Sequence, residues 1–178
     1  KADRGKPMVV EAAHPGSVDL QRQVVVFNGN VVIAQGTMVI RAARVEVRES
    51  PEGYRSAAAI GSASRPASYR QKRDAVDEWV EGTAERIEYD ARTDTLKFNG
   101  NAAIRRLRGA EVADEITGGA IVWDNSAELF SVTGGATSAA NPSGRVRAVL
   151  SPRTPAASSP EPAASATLKP SRTLGEKK

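Results

Sequence analysis

Apolar and polar residues alternate with a period of two along most of the first 150 residues. The alternation is clearest at residues 8–11 (MVVE), 44–47 (RVEV) and 86–89 (RIEY). Successive side chains of a strand point to opposite faces, so this pattern predicts sheets with one wet face and one buried face. No segment longer than ten residues keeps a helical apolar stripe without an interrupting Gly or Pro. The sequence therefore predicts an all-β protein.

A tetrapeptide repeats within this pattern. Phe-Asn-Gly-Asn occurs at 27–30 and recurs letter for letter 71 residues later, at 98–101. A dipeptide ending in Asp begins nine residues before each copy, and a looser third copy starts at Trp123, 34 residues after Tyr89. The separations indicate a unit of about 35 residues with one degenerate copy near 52–63. Stacked strand–turn–strand units of this length share one continuous interior.

The repeated unit also carries turn residues. Asn-Gly pairs provide the positive-φ residues that tight hairpins require, so the pairs at 28–29 and 99–100 predict hairpins. In the degenerate copy, residues 51–53 (PEG) predict a turn, and Gly61 occupies the position of the hairpin glycine in the other copies. The Asp of each repeat is predicted to be a turn residue, not a catalytic carboxylate.

Composition divides the chain into three parts. Eighteen of the 28 residues of 151–178 are Ser, Thr, Ala or Pro and none is aromatic, which predicts a disordered tail. Of the net charge of +4, residues 1–6 carry +2 and the tail +3, so the body at 7–150 carries −1. We expect a flexible N-terminus at 1–6 and one folded domain at 7–150. A near-neutral body argues against a nucleic-acid partner. The basic clusters at 70–73 and 105–108 are interpreted as a solvated strand face or turn.

Candidate chemistry is sparse. The chain has no cysteine, and a Ser-His-Asp arrangement would rest on His14, its single histidine, beside Pro15. Phosphate-loop, His-Glu-x-x-His and EF-hand spacings do not occur, and the longest apolar stretches are strand-sized. The sequence predicts no enzyme, no metal site and no cofactor.

The repeats resemble a known family. Residues 27–36 (FNGNVVIAQG), the pair Tyr89-Asp90 and residues 43–47 (ARVEV) are similar to the pattern of the OstA-like domain of the LptA family, periplasmic lipopolysaccharide transport proteins. Residues 6–12 (KPMVVEA) resemble the mature start of such proteins, and the similarity covers about 6–145. The chain departs from the family at 12–17 (AAHPGS), where Pro15 predicts a break or bulge in the first strand. The tail has no counterpart.

The resemblance implies a twisted, open β-jelly roll of stacked antiparallel strand units around an apolar groove. It implies a periplasmic protein, its signal peptide removed before residue 1, that carries the acyl chains of lipopolysaccharide (lipid A) in this groove. On the family pattern the lipid-binding groove residues are Met8, Val10, Leu20, Val25, Phe27, Val31, Ile33, Met38, Ile40, Val45, Val47, Ile87, Tyr89, Phe98, Ile104, Ile121 and Trp123. For any one of them, plain core packing is an equal alternative, because a core and a groove wall use the same residue types.

The resemblance also implies partners. Lipopolysaccharide would pass from an inner-membrane transport complex to an outer-membrane translocon, along protomers associated head to tail. We expect the pairing edges to be the strand around 8–11 and the last strands within 131–149. Two alternatives stay open: an OstA-like domain of a larger transport component, either an inner-membrane anchor subunit or the outer-membrane translocon, and a β-scaffold without lipid cargo.

Overall fold

A computed structural model describes residues 2–73, 77–127, 129–135 and 142–152 of the chain. Within them the chain forms one short 3-10 turn, Ala2–Gly5, and otherwise only strands. The strands are β1 (Val9–Glu11), β2 (His14–Asp19), β3 (Val24–Gln35), β4 (Met38–Glu49), β5 (Arg55–Ile60), β6 (Ala67–Lys72), β7 (Glu78–Ala84), β8 (Arg86–Asp90), β9 (Thr95–Arg108), β10 (Glu111–Asp124), β11 (Leu129–Thr133) and β12 (Arg147–Leu150). The predicted all-β, antiparallel jelly roll is confirmed.

The strands form two facing layers that share the four longest strands. Layer 1 runs β2, the first half of β3, the second half of β4, β5, β8, the first half of β9, the second half of β10, and β11. Layer 2 runs β1, the other halves of β3 and β4, β6, β7, the other halves of β9 and β10, and β12. Every pairing is antiparallel. Because the two layers face each other, each layer buries its inner face and exposes its outer face.

The chain crosses from one layer to the other along a single side, which we call the spine. The two Phe-Asn-Gly-Asn segments lie there, inside β3 and β9, so the prediction of hairpins at these sites is wrong. Each has two successive positive-φ residues, Gly29 (77°) with Asn30 (43°) and Gly100 (79°) with Asn101 (46°), and the β3 pairing with β4 shifts register there. Two such residues bend a strand sharply without ending it, so the strand continues into the other layer.

The hairpins lie at the opposite ends of the strands, and we call this side the mouth. The repeated Asp residues close the layer 1 hairpins, as predicted: Asp19 accepts two backbone N–H bonds at 3.0 Å, and Asp90 accepts bonds at 2.8 and 3.4 Å. Asp124 accepts two at 2.9 Å. These are Asx turns, in which a short carboxylate satisfies the backbone of the turn. The predicted turn at 51–53 is present, with Gly53 at a φ of 83°.

The N-terminal segment lies against layer 2, and its predicted flexibility stays a prediction. Residues 2–5 form a 3-10 turn. Asp3 is only 7% exposed, and Thr37 and Gln71 of layer 2 or beside it donate hydrogen bonds to its carboxylate. The predicted irregularity at Pro15 is present as a register shift between His14 and Ser17 where β2 pairs with β3. Of the predicted disordered tail, residues 153–178 lie outside the described residues.

Candidate functional site

The apolar interior between the layers is the main candidate site. Contacts cross it directly: the rings of Tyr69 in layer 2 and Phe98 in layer 1 pack edge to face with centroids 5.9 Å apart. Alternation along each strand sends every second side chain into this space. The buried members of the predicted groove set are Val31, Ile33, Met38, Ile40, Val45, Ile87, Tyr89, Phe98, Ile104, Ile121 and Trp123. Their contact with lipid stays a prediction.

The N-terminal end of the interior is less closed than its centre. The half-buried members of the predicted set lie on or beside β1, β3 and β4 there: Met8, Val10, Val25, Phe27 and Val47. One predicted position is wrong. Leu20 is 82% exposed, because it directly follows Asp19 in the Asx turn where the chain has already left β2.

The C-terminal end of the interior contains an apolar cleft of about 240 Å³. Its walls are Val80, Ile104, Ile116, Trp123, Phe130 and Leu150, together with Arg73, Arg106 and Asp114. The rings of Trp123 and Phe130 stack at 4.0 Å. Ile116 and Phe130 are interior residues that were not among the predicted set, whereas Leu150 lines the cleft but is 71% exposed. The period-two pattern of β10 could have predicted the inward position of Ile116, which pairs with the inward Ile104.

A polar network caps layer 2 along the mouth in the N-terminal half. Thr37 donates to Asp3 at 2.5 Å, and Gln71 donates to the same carboxylate oxygen at 3.1 Å. The Tyr69 hydroxyl donates to Gln71 at 2.5 Å. Burial alone would raise the pKa of Asp3, but the bonds from Thr37 and Gln71 hold it below its usual value. Burial, assisted by the nearby carboxylate of Asp94, strongly raises the pKa of Tyr69, which therefore stays a neutral donor.

A charged cluster occupies the mouth side of layer 2 in the C-terminal half. Glu78 is bonded by Arg73 at 2.6 Å and by Arg108 at 3.0 Å, and it lies 3.6 Å from Arg106. Arg106 also pairs with Asp114. Burial alone would raise the pKa of Glu78, but the bonds from Arg108 and Arg73 hold it below its usual value, so Glu78 is ionised at neutral pH.

The described residues lack two other classes of site. They contain no group of three or more His, Cys, Asp or Glu residues placed to hold a metal ion. They also contain no helix of the length and apolarity that a membrane span requires. His14 packs against Gly29 at the spine, where it covers the positive-φ glycine.

Comparison with known proteins gives consistent matches. Residues 10–128 match the family model described as LptA/(LptD N-terminal domain) LPS transport protein. The chain is 32% identical over 132 residues to the lipopolysaccharide export system protein LptA of Escherichia coli K12, covering 74% of this chain and 69% of that protein. It is 29% identical over 136 residues to LptA of Haemophilus influenzae, covering 76% and 72%.

A solved structure shares the fold. The crystal structure of LptH from Pseudomonas aeruginosa, titled the LptA homologous periplasmic component of the lipopolysaccharide transport device, superimposes with a TM-score of 0.72. The match covers 85% of this chain and 100% of that chain, at 23% sequence identity.

Proposed function

This chain belongs to the LptA/LptD N-terminal domain family of lipopolysaccharide transport proteins, and we propose that it carries lipopolysaccharide through the periplasm with its acyl chains between the two layers. The relatives in Escherichia coli and Haemophilus influenzae are lipopolysaccharide export proteins, and the Pseudomonas aeruginosa neighbour is a periplasmic component of the same device. In this role the chain needs no covalent step and no cofactor.

The observation that carries the proposal is the continuity of the apolar interior. It runs from the half-buried Val10 and Phe27 near one end, through the buried centre at Ile40 and Phe98, to the half-buried Ile116 and Phe130 at the other end. An acyl chain loses about 0.8 kcal/mol for each CH₂ group that it exposes to water. A soluble carrier of such chains therefore needs a dry surface along its length, with sugars left in water, and this interior has that form.

The same geometry suggests where lipid first makes contact. Central side chains such as Val31, Val45 and Ile121 have no exposed surface, so a chain that reaches them must move the layers apart at the mouth. The half-buried side chains at the two ends are already accessible. We therefore assign first contact to the ends, and contact with the centre to a form in which the mouth has opened.

Assembly follows from the edges of the sheets. In the described residues β1 and β2 each pair only with β3, and β11 and β12 each pair only with β10. One side of each of these strands carries backbone groups without a strand partner, which is the usual template for adding another strand. We propose that protomers, an inner-membrane transport complex and an outer-membrane translocon pair with these edges, so that lipopolysaccharide moves from the inner to the outer membrane.

Photo-crosslinking to purified lipopolysaccharide tests the cargo. A photoreactive phenylalanine analogue at Phe27 or at Phe130 lies inward at one end of the interior, and both positions are half-buried. Matched controls at Arg48 and Ser131 lie on the same layer with the opposite, outward parity. We expect labelling from Phe27 and Phe130 and little from the controls.

Circular dichroism and an unfolding transition establish that each photoreactive variant is folded. Equal labelling from inward and outward positions would mean non-specific adsorption and would contradict an interior site. Absence of labelling from every position in folded protein would leave the scaffold function, in which the interior is only a core.

A further inference from the structure

A second cleft opens at the spine, on the outer face of layer 2 and outside the apolar interior. β4 pairs with β6 through residues 39–41 and with β5 through residues 44–49, so within the described strands residues 42–43 have no partner on that side. The pairing of β3 with β4 is interrupted there as well, at residues 29–30. The interruptions leave a cleft of about 610 Å³, which we call the spine cleft.

The connection from β5 to β6 forms the far wall of the spine cleft and is held in a closed turn. The backbone N–H of Ser62 donates to the carbonyl of Arg65 at 2.8 Å, and the N–H of Arg65 donates to the Ser62 hydroxyl at 3.1 Å. The N–H of Gly61 donates to the carbonyl of Glu85 at 2.9 Å. Arg65 therefore extends from a fixed backbone, and it lines the cleft together with Arg41 of β4.

The charges of these two arginines are not neutralised within the cleft. The polar side chains of the lining are Asn30, Arg41, Ser62, Ser64, Arg65 and Ser68, without a carboxylate among the described residues. In the part of the chain that the structure describes, the Arg41 and Arg65 guanidiniums have no ion-pair or hydrogen-bond partner. Glu11 lies in the same outward row but beyond Val32, two strands or about 10 Å from Arg41.

A polar cleft on the outer face of layer 1 gives a contrast. It measures about 290 Å³ and is lined by three cations and three carboxylates, which are Arg48, Arg86, Lys97, Glu46, Glu88 and Asp90. Arg48 pairs with Glu46 at 3.5 Å, and Arg86 pairs with Glu88 at 2.8 Å. An anion gains little from a cleft whose charges balance. The spine cleft instead has two excess positive charges.

The charge and size of the spine cleft match a phosphate ester of a hydrophilic molecule. A phosphate monoester carries about −1.5 to −2 charges at pH 7 and three acceptor oxygens, which matches two guanidiniums. A carboxylate, with a single charge, would leave one guanidinium uncompensated. The volume of about 610 Å³ leaves room for the group that carries the phosphate. The Ser64 and Ser68 hydroxyls and the Asn30 amide both donate and accept hydrogen bonds, as sugar hydroxyls do.

We propose that the spine cleft binds phosphorylated sugars, with Arg41 and Arg65 on the phosphate and the serine hydroxyls and Asn30 on the sugar. The site lies outside the interior, so it does not rest on the carriage of acyl chains. Two sources present the same group to the cleft, the phosphorylated sugar part of a glycolipid and a soluble sugar phosphate.

Isothermal titration calorimetry at low ionic strength tests the site with four probes. They are the bis-phosphorylated disaccharide of lipid A without its acyl chains, the same disaccharide without phosphates, glucosamine 6-phosphate and inorganic phosphate. We expect the phosphorylated disaccharide to bind, and its affinity to fall about tenfold or more when the phosphates are removed. Arg41→Gln and Arg65→Gln should each weaken its binding about tenfold, the range for a hydrogen bond to a charged group. Tighter binding of the disaccharide than of glucosamine 6-phosphate assigns the site to glycolipid sugars, and equal binding assigns it to soluble sugar phosphates.

Arg48→Gln is the matched control, because it removes the same charge from the balanced cleft of layer 1 and should leave every affinity unchanged. Arg41, Arg48 and Arg65 are all exposed, so the three variants should fold, which circular dichroism verifies. Equal losses in Arg41→Gln and Arg48→Gln would mean attraction by net charge alone and would overturn the site. Equal binding of the phosphate-free disaccharide would overturn the role of the arginines. Inorganic phosphate that binds as tightly as the sugar phosphates would overturn the assignment to sugars.

Discussion

The two halves of the interior are closed in different ways. In the N-terminal half and the centre, which we call the sealed half, inward side chains such as Ile33, Ile40 and Phe98 have at most 2% of their surface exposed, although the outermost ones, such as Val10 and Phe27, are half-buried. The mouth beside them is capped by the network of Asp3 and Tyr69. In the C-terminal half, which we call the open half, the half-buried Ile116 and Phe130 line the cleft together with the buried Trp123, and the mouth carries arginines. One sheet architecture thus holds a packed core and an accessible surface side by side.

The difference shows what each half contributes. Close packing and satisfied hydrogen bonds stabilise the fold, and any lipid that enters there has to displace them. The half-buried walls of the cleft, Ile116 and Phe130, contribute less to stability, because these side chains have lost less of their contact with water. Substitutions in the sealed half should therefore act mainly on stability, and substitutions in the open half mainly on binding.

The largest expected effect contrasts Phe98 with Phe130. Phe98 is fully buried between the layers, so Phe98→Ala should lower the free energy of unfolding by about 3–5 kcal/mol. Phe130 is half-buried against Trp123, and Phe130→Ala should cost about 1–2 kcal/mol. Urea unfolding followed by circular dichroism measures both. Similar losses for the two variants would mean that the halves are equally packed, and would remove the contrast.

A smaller loss of stability is expected from a substitution in layer 2, at the position that faces the Phe98 ring. A Cβ atom on Gly82 of β7 would meet the Phe98 ring, at 2.8 Å from Cζ and 3.2 Å from Cδ1. Gly82→Ala should therefore cost about 1–3 kcal/mol through overpacking. The cost should fall in a Phe98→Leu background, because the two positions are in contact and their effects are not additive. Gly5→Ala, with nothing within 4 Å of the added Cβ, is the control and should be close to neutral. An unchanged cost in the Phe98→Leu background would mean that the layers adjust without contact at this point.

Strand alternation predicted the buried centre well and missed part of the C-terminal cleft. Val45 and Ile87 sit in regular alternation with charged neighbours, and they are buried as expected. Arg106 continues the same alternation, but a charged residue in a basic run is ordinarily read as solvated. Its surroundings are set by the neighbouring strands, where Val80 and Asp114 pair with it. A local pattern predicts which side chains of a strand point to the same face. It does not predict which residues of the facing layer lie opposite them.

The Phe-Asn-Gly-Asn segments show a second limit. Positive φ at Gly29 and Asn30 was predictable, since Asn and Gly adopt it at low cost. Whether such a pair reverses a strand or sends it into another layer depends on which strand pairs with the residues that follow. Here Val31 and Ile33 pair with β4 in register, so the strand continues. Those long-range contacts are absent from the local sequence.

The smallest expected effect is a pH-dependent loss of stability on substitution of Asp3, which belongs to the polar network that caps the mouth of the sealed half. The pKa of Asp3 is lower in the folded chain than its usual 3.8, so its ionised form is favoured by folding. Its stabilisation is therefore complete above the unfolded pKa and is lost as the pH falls through the folded pKa. Asp3→Asn should cost about 1–2 kcal/mol in urea unfolding at neutral pH. The difference between the variant and the original chain should shrink at about pH 3, where the unfolded carboxyl is protonated.

Asp77→Asn is the control for the polar cap, because the Asp77 side chain is 80% exposed and its ion pair with Lys72 lies in solvent. It should change stability by less than about 0.5 kcal/mol at either pH. A loss for Asp3→Asn that is the same at both pH values would show that the carboxylate charge does not contribute, and that the 3-10 turn is held by its other contacts. A loss confined to neutral pH would show that the charge of Asp3 holds the N-terminal segment over the mouth, which is the side that, in the proposed function, opens before lipid reaches Ile40 and Phe98.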